Sequence, residues 1–323
     1  MRTALTIAGS DSSGGAGIQA DLKTFQAHGV FGMTAITAVT VQNTRKVYDI
    51  QEIAPAIIKG QILCLFDDIA IHAVKIGMVS DVALIDAIAE ALGQVERPPV
   101  VLDPVMISKS GYALLKEAAQ QALIERLFPL AEVVTPNIFE AERLVGHPIA
   151  SIAEMRTAAR EILDLGARKV VVKGGHAGGA QATDVLYDGQ TYRELTSTRY
   201  ATTNTHGTGC TFSSAIAANL ALGHLEHALE RCTELGSRSL VARTKMEMAR
   251  ALALRGLDGD RGRGLQELLD RGGQYCGQGH PGCHDARLRP ALRPPIGDGS
   301  RDNFCHGAPC HRSVPLPLRS LRP

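Results

Sequence analysis

The chain has 323 residues, of which 45% are hydrophobic and 21% are charged, which is enough apolar material for one large folded domain with or without an appendage. Its 34 Lys and Arg residues nearly cancel its 33 Asp and Glu residues, so no global field attracts nucleic acid or an anionic membrane. The apolar run at the start breaks at Gly9, too early for a signal peptide or a membrane span, and a cytoplasmic location is expected.

Residues 1 to about 223 alternate short β-branched runs with amphipathic segments, which is typical of βα units around a parallel sheet. The predicted strands are residues 4–7, 33–41, 73–77, 100–102, 133–135 and 169–173, with a polar hairpin at 185–192. The predicted helices, with apolar residues three and four apart, are 82–92, 112–127, 138–144 and 152–165. The pattern predicts a three-layer α/β/α sandwich with a mostly parallel central sheet. In such folds ligands bind beyond the carboxyl ends of the strands.

A glycine-rich loop, AGSDSSGGAG at residues 8–17, follows the first strand and precedes a helix that contains Asp21. Glycine permits close approach of the backbone to a ligand. The spacing is not G-x-G-x-x-G, and no acidic residue ends a second strand about twenty residues on, which argues against a dinucleotide fingerprint. A flexible turn without a ligand is the alternative.

A second loop, TTNTHGTGCTFS at residues 202–213, leads into an apolar helix at 214–222. Glycines and a threonine at a helix start present several N–H groups to one point, where the helix dipole also favours negative charge. We therefore predict an anion hole suited to a moving phosphoryl group. Cys210, in the first turn, is predicted to have a lowered pKa and to be able to serve as a base. A small buried residue at a tight helix start is the alternative.

Polar residues also follow other predicted strands. Asp103 and Lys173 suit the positioning of Mg²⁺ and the neutralisation of phosphate. Asn137 and Glu140 begin the helix at 138–144, where ordinary capping is an equally good interpretation.

Together these loops resemble the ribokinase-like superfamily, and specifically the hydroxymethylpyrimidine/phosphomethylpyrimidine kinases of thiamine biosynthesis. The motifs that carry the resemblance run in order from AGSDSSGGAGIQADLKTFQAHGVFGMTAITAVTVQNT through VKIGMV, VLDPVM, TPNIFEAE and VVVKGGH to THGTGCTFSSAIAANLALG. They cover residues 2 to about 223. The resemblance implies a homodimer that uses ATP and Mg²⁺ to convert hydroxymethylpyrimidine to its monophosphate and then to its diphosphate.

For the pyrimidine, the resemblance implies hydrogen bonds from Asp21 and Gln42 and ring contacts from Val41 and Met78, and it adds Gly9 to the substrate site. A carboxylate and an amide suit an exocyclic amine and a ring nitrogen.

For catalysis, the resemblance implies that Cys210 is the base, at a position where most of the superfamily has aspartate. The remaining residues implied for catalysis are Lys173 at the phosphates and Gly207, Thr208 and Gly209 in the anion hole. The residues implied for ATP are Asn137, Lys173, Gly175 and Thr208, and those implied for Mg²⁺ are Asp103 and, through water, Glu140. Residues 108–112 are expected to form a flap that excludes water.

Two alternatives remain open. Pyridoxal is a neighbouring substrate, since the rings are similar in size and polarity. The chain also departs from the family after about residue 223: residues 224–270 read as a helical segment of atypical origin, and residues 271–323 as a disordered tail. A pyrimidine-binding protein with impaired catalysis is therefore the second alternative.

Seven cysteines are unevenly distributed, and only Cys64, Cys210 and Cys232 fall within the first 270 residues. This distribution argues against a secreted disulfide framework. The other four are Cys276, Cys283, Cys305 and Cys310. Their spacings fit no common structural zinc site.

Overall fold

The computed structural model describes residues 1–106, 114–175, 181–198 and 205–224. The strands are β1 (Thr3–Ala8), β2 (Phe31–Ile36), β3 (Ala38–Gln42), β4 (Val47–Glu52), β5 (Ala73–Ile76), β6 (Val100–Leu102), β7 (Val133–Val134), β8 (Val170–Val172), β9 (Gln181–Tyr187) and β10 (Tyr192–Thr198). The helices are α1 (Gly17–Ala27), α2 (Pro55–Asp68), α3 (Val82–Gly93), α4 (Glu117–Ala122), α5 (Ile138–Val145), α6 (Ile152–Asp164) and α7 (Thr208–Ala221). A π-helical turn, Leu123–Leu127, and a 3₁₀ turn, Phe128–Leu130, follow α4.

Eight strands form the main sheet in the order β10-β9-β8-β7-β6-β5-β1-β2. Strand β9 is antiparallel to both of its neighbours, and the other adjacent pairs are parallel. The predicted mostly parallel sheet is confirmed.

The two faces of the sheet bury different residues because side chains alternate along a strand. On one face, Ile7, Ile76 and Leu102 are fully buried in a cluster that includes residues of α2, α3, α5 and α6. On the other face, Ala73 and Val101 pack in a cluster with residues of α1 and α7. Full burial of an Ile or Leu side chain contributes about 1.5–3 kcal/mol. Helices on both faces confirm the predicted three-layer sandwich.

The prediction of one strand over residues 33–41 is wrong. Strand β2 ends at Ile36, and Thr37 interrupts the run by donating its backbone N–H to Ala8 O and its hydroxyl to Met78 O. Strand β3 then leaves the main sheet and pairs antiparallel with β4. Strand β4 and helix α2 are absent from the predicted elements. β-branched residues indicate a strand but not which sheet it joins.

Smaller differences affect the ends of other elements. The hairpin is longer than residues 185–192, and α7 begins at Thr208 rather than at 214. In the described part of the predicted helix 112–127, residues 114–116 are not helical, and α4 and the π-helical turn cover the rest. The expected flap, the start of the second loop and the segments after His224 lie outside the described residues. None of the helices in the described ranges combines the length and apolar composition that a bilayer crossing requires.

Candidate active site

A row of polar side chains lies at the carboxyl ends of four central strands, on the face covered by α1 and α7. Each of these polar residues follows, two positions later, an apolar residue that packs on that face. Because side chains alternate between the two faces along a strand, both point to the same side of the sheet. The row consists of Lys75, Asp103, Thr135 and Lys173. The fold thus brings together residues that are distant in the chain.

Asp103 and Lys173 form an ion pair, with Nζ of Lys173 2.9 Å from Oδ1 of Asp103. Thr135 Oγ1 donates to the same oxygen, and Ser213 Oγ lies 3.3 Å from Oδ2. Burial by itself would raise the pKa of Asp103, but the ammonium groups of Lys173 and Lys75 outweigh it and hold that pKa below its usual range. Burial would lower the pKa of Lys173, but the neighbouring carboxylates raise it. Both members of the pair are therefore charged at neutral pH.

The start of α7 lies against this ion pair. A side-chain carbon added to Gly209 would lie 3.4 Å from Lys173 Nζ and 3.5 Å from Asp103 Oδ2. Gly207 precedes the helix with φ of +74° and provides no side-chain cap. The first N–H groups of a helix have no partner within the helix. The predicted anion-hole residues are therefore beside the predicted phosphate lysine.

Gly207 is also confined by the first loop. A side-chain carbon there would lie 1.7 Å from Gly15 O, so only glycine fits both the positive φ and the contact. Thr208 is exposed, and its hydroxyl donates to Thr205 O at 3.0 Å.

The prediction of a lowered pKa for Cys210 is wrong. Burial raises the pKa of the thiol to about 11, opposed by Lys75 and reinforced by the carboxylates of Asp21 and Asp103. The helix start favours a thiolate, but the folded surroundings remove water from the sulfur, and the charged form loses that solvation. In the free protein Cys210 is a neutral thiol at pH 7.

Two predicted pyrimidine residues meet beside the first loop. A side-chain carbon on Gly9 would lie 3.3 Å from the sulfur of Met78. Val41 is 58% exposed on β3, and Gln42 follows it. Ser12 Oγ donates to Thr40 O at 2.9 Å, which holds β3 against the loop. Val41 thus presents an exposed apolar side chain on the strand that this hydrogen bond joins to the first loop.

Asp21 departs from its predicted role. The residue has no exposed surface. Its Oδ2 accepts hydrogen bonds from Lys75 Nζ at 2.8 Å and Thr6 Oγ1 at 2.6 Å, and its Oδ1 accepts one from Ser214 Oγ at 2.6 Å. Direct hydrogen bonding of Asp21 to a pyrimidine is therefore incompatible with this arrangement, because its oxygens are enclosed and already bonded.

Asn137 and Glu140 cap α5, which was the alternative interpretation. Asn137 Oδ1 accepts from Glu140 N at 3.0 Å, and Glu140 Oε2 accepts from Asn137 N at 2.8 Å. Burial raises the pKa of Glu140 to about 7, with Lys173 opposing the rise and Asp103 adding to it. Gly175 is exposed at the end of β8.

Sequence reasoning missed three residues of this region. Lys75 sits within the apolar strand β5, and a lysine in a strand that is buried on both faces was the available signal. Asp11 and His206 were within the quoted motifs, but no spacing indicated that they form a contact.

A mostly parallel three-layer fold that holds a lysine–carboxylate pair against a helix N-terminus at its strand ends defines a ribokinase-like small-molecule kinase, which is a phosphotransferase. The chain belongs to the phosphomethylpyrimidine kinase family, whose model matches residues 11–251. This match continues past residue 223, where the resemblance in the motifs ends, and the boundary predicted there stays a prediction.

Curated relatives agree with this membership. A hydroxymethylpyrimidine/phosphomethylpyrimidine kinase from Rhizobium meliloti is 53% identical over 221 residues, which cover 68% of this chain and 83% of the relative. A thiamine biosynthesis bifunctional protein from Geobacter sulfurreducens is 50% identical over 228 residues, which cover 70% of this chain and 46% of the relative.

Solved structures of two kinds are similar. The phosphomethylpyrimidine kinase of Clostridium difficile has 46% identity and a TM-score of 0.66, covering 74% of this chain and 100% of that one. An ADP complex of Bacillus subtilis pyridoxal kinase has 43% identity and a TM-score of 0.67, covering 73% of this chain and 90% of that one.

Proposed function

We propose that this protein is a cytoplasmic homodimeric kinase that transfers phosphate from ATP to hydroxymethylpyrimidine, and then to its monophosphate, to supply the diphosphate for thiamine biosynthesis. The observation that carries the proposal is the meeting of Lys173, Asp103 and the first turn of α7 at one edge of the sheet. The names of the curated relatives support the choice of substrate.

The pyrimidine binds between the first loop and β3. Met78 and Val41 contact the faces of the ring, the Gln42 amide bonds its edge, and Gly9 leaves room for the ring to approach the backbone. Asp21 has no exposed surface and does not touch the ring.

Transfer depends on fixed positive charge around the moving phosphoryl group. The N–H groups of Gly207 and Gly209 and the ammonium of Lys173 stabilise charge on its oxygens. The N–H of Thr208, in the same turn, donates to Thr205 O at 3.3 Å in the free protein and joins the anion hole when it leaves that bond. Asn137, Gly175 and Thr208 border the nucleotide phosphates. Cys210 takes the hydroxyl proton; because its pKa is raised to about 11, only a small thiolate fraction is present in the free protein near neutral pH.

Asp103 and Glu140 fit the role of holding Mg²⁺. The charge of Asp103 adds to the raised pKa of Glu140, and Glu140 would reach the ion through water. Within the described ranges no group of three or more His, Cys, Asp or Glu residues is placed to hold a metal ion. Magnesium usually takes one or two carboxylates and completes its shell with water and phosphate oxygens. When bound, Mg²⁺ neutralises phosphate charge during transfer.

The full-length protein with MgATP and either hydroxymethylpyrimidine or pyridoxal provides the test of this function. Mass spectrometry of the product counts the phosphates added, and the same mixture without ATP is the control. We expect a monophosphate followed by a diphosphate of the pyrimidine. Turnover of pyridoxal alone would overturn the substrate assignment, and calorimetric binding of the pyrimidine without any product would establish an impaired binding protein.

The pocket assignment has its own test. Gln42→Ala is expected to raise the pyrimidine KM at least about tenfold, since one lost hydrogen bond to a buried polar ligand costs about 1.5 kcal/mol or more. Gln51→Ala, on the exposed surface of β4, is the control and should leave KM unchanged. Equal KM values in both variants would exclude Gln42 from the pocket.

Pyridoxal kinase activity is the second candidate. It is favoured by the similarity to the pyridoxal kinases of Bacillus subtilis and Staphylococcus aureus, the latter with 36% identity and a TM-score of 0.69 in complex with AMP-PCP. The product analysis above separates the two activities.

A further inference from the structure

Lys75 and Asp21 form an ion pair that is sealed inside the protein. The two side chains have no exposed surface, and Nζ of Lys75 lies 2.8 Å from Oδ2 of Asp21. A side-chain carbon on Gly77 would lie 2.6 Å from the same ammonium, so the lysine fills the space that Gly77 leaves at the end of β5. Burial by itself would lower the pKa of Lys75, but the charges of Asp21 and Asp103 and the hydrogen bond to Asp21 raise it, so the lysine is a cation.

This pair is connected to the helix that carries Cys210. Asp21 Oδ1 accepts a hydrogen bond of 2.6 Å from Ser214 Oγ. Ser214 is four residues after Cys210, one helical turn further along α7. Thr6 of β1 bonds the other oxygen of Asp21. Helix α1, strands β1 and β5 and the first turns of α7 are therefore joined through one carboxylate.

Charges of both signs surround the Cys210 thiol. Lys75 from β5 and Lys173 after β8 favour its ionised form, whereas Asp21 from α1 and Asp103 after β6 oppose it. An ion pair without solvent pays a large desolvation penalty that hydrophobic residues of similar size would avoid. Stability alone therefore does not explain why the protein contains this buried ion pair.

We propose that Lys75 and Asp21 are positioning residues for Cys210: Asp21 holds the first turns of α7 through Ser214, and Lys75 supplies the cation that offsets the carboxylates around the sulfur. This inference deepens the proposed function and rests on it, because it gives Lys75 and Asp21 a role at the thiol proposed to act as the base.

The test measures the ionisation of Cys210 without substrates. Full-length wild-type protein, Lys75→Met and Asp21→Asn are alkylated with iodoacetamide between pH 7 and 10, and mass spectrometry quantifies the peptides of Cys210 and Cys64. Cys64 is an exposed cysteine on α2 and serves as the internal reference. Loss of Lys75 should slow alkylation of Cys210 relative to Cys64 by at least about threefold at pH 8.5, since the thiolate is the reactive form. Loss of the Asp21 charge should accelerate it by a similar factor.

Opposite shifts separate this role from simple structural support. If the pair only stabilised the fold, either substitution would loosen α7, and alkylation of Cys210 would change in the same direction in both variants. Shifts of the same sign, or no shift, would overturn the proposal. If Lys75→Met does not fold, Asp21→Asn alone decides, because unchanged or slower alkylation there contradicts the inference. The double variant Lys75→Met/Asp21→Asn should return to within about threefold of the wild type.

A kinase assay of Cys210→Ala, set beside these alkylation rates, keeps the two proposals distinct. If Lys75→Met and Asp21→Asn shift the alkylation rate but Cys210→Ala keeps its kcat, the positioning role stands and Cys210 is not the base. If neither variant shifts the rate but Cys210→Ala loses most of its kcat, Cys210 is the base and the positioning role is wrong.

Discussion

His206 Nε2 lies 2.7 Å from Oδ2 of Asp11, so a contact between residues 195 positions apart joins the loop before α7 to the loop after β1. Asp11 also accepts hydrogen bonds from the backbone N–H groups of Ser13, Gly15 and Ala16. The carboxylate thus shapes its own loop and holds the second loop against it. Asp11 therefore links the loop beside the proposed pyrimidine site to the loop that leads into the proposed anion hole.

Stability at low pH should depend on Asp11. Burial by itself would raise the pKa of Asp11, but hydrogen bonds from His206, Ser13 and Ala16 outweigh it and hold that pKa well below its usual range. A depressed pKa contributes stability that is present above the unfolded value, near 4, and is lost as pH falls below it.

We expect Asp11→Asn to lower the free energy of unfolding by about 1–3 kcal/mol at pH 7, with the difference shrinking below about pH 4. Urea unfolding at a series of pH values measures it. Asp164→Asn, at the exposed end of α6, is the control and should stay within about 0.5 kcal/mol of the wild type. A difference that is constant from pH 7 to 3 would contradict the assignment.

The pH dependence of catalysis should follow the Cys210 thiol. Because its pKa is raised to about 11, kcat/KM should rise as pH increases above 7. The expected slope is about tenfold per pH unit up to pH 9, where one ionisation activates the base. Cys210→Asp should show a flat profile over this range. A flat profile in the wild type would mean that the free thiolate is not required.

Replacement of the base should affect turnover more than binding. Cys210→Ser or Ala is expected to reduce kcat by about 10²–10⁴-fold with a much smaller change in the pyrimidine KM, because a base acts in the transition state. Steady-state kinetics with varied pyrimidine measure both constants. Near-normal kcat would remove Cys210 from the base role.

Lys173 should be needed for transfer. Lys173→Met removes the cation beside Asp103 and Gly209 and is expected to reduce kcat by at least about 10²-fold, the usual cost of losing one charge-stabilising group. Lys169→Met, which breaks a partly exposed pair with Glu132 before β8, is the control and should keep kcat within about twofold. Thermal unfolding of both variants shows that the assay temperature leaves them folded. A similar kcat in the two variants would contradict the role of Lys173.

Gly207 should tolerate no side chain. Gly207→Ala adds a carbon at a φ of +74°, against Gly15 O, and is expected to cost about 2–5 kcal/mol of stability and most of the activity. Gly60→Ala, at an uncrowded and exposed position of α2, should instead stabilise by about 0.5–1 kcal/mol. Denaturant unfolding and kcat measure both. Equal stability of the two variants would show that the contact at Gly15 does not constrain the loop.

Individual strands and helices show which parts of the fold could be predicted from the sequence. Strands β1, β5, β6, β7 and β8 and helices α3, α5 and α6 were predicted within a few residues, because apolar periodicity is a local property of the chain. The strand over residues 33–41 was predicted wrongly, because the break at Thr37 depends on hydrogen bonds to Ala8 and Met78, both distant in the chain. Local pattern contains no information about such partners.

By itself, the sequence determined the three-layer class, the family and the loops in which we propose the chemistry, since these depend on periodicity and on motifs at ordered spacings. Only the tertiary structure decided the state of the groups in those loops. It enclosed Asp21 with Lys75, and burial raised the pKa of Cys210 to about 11 against the effect of the helix start. The physical reason is that ionisation depends on desolvation and on nearby charges in space, and folding brings these together from four separate parts of the chain.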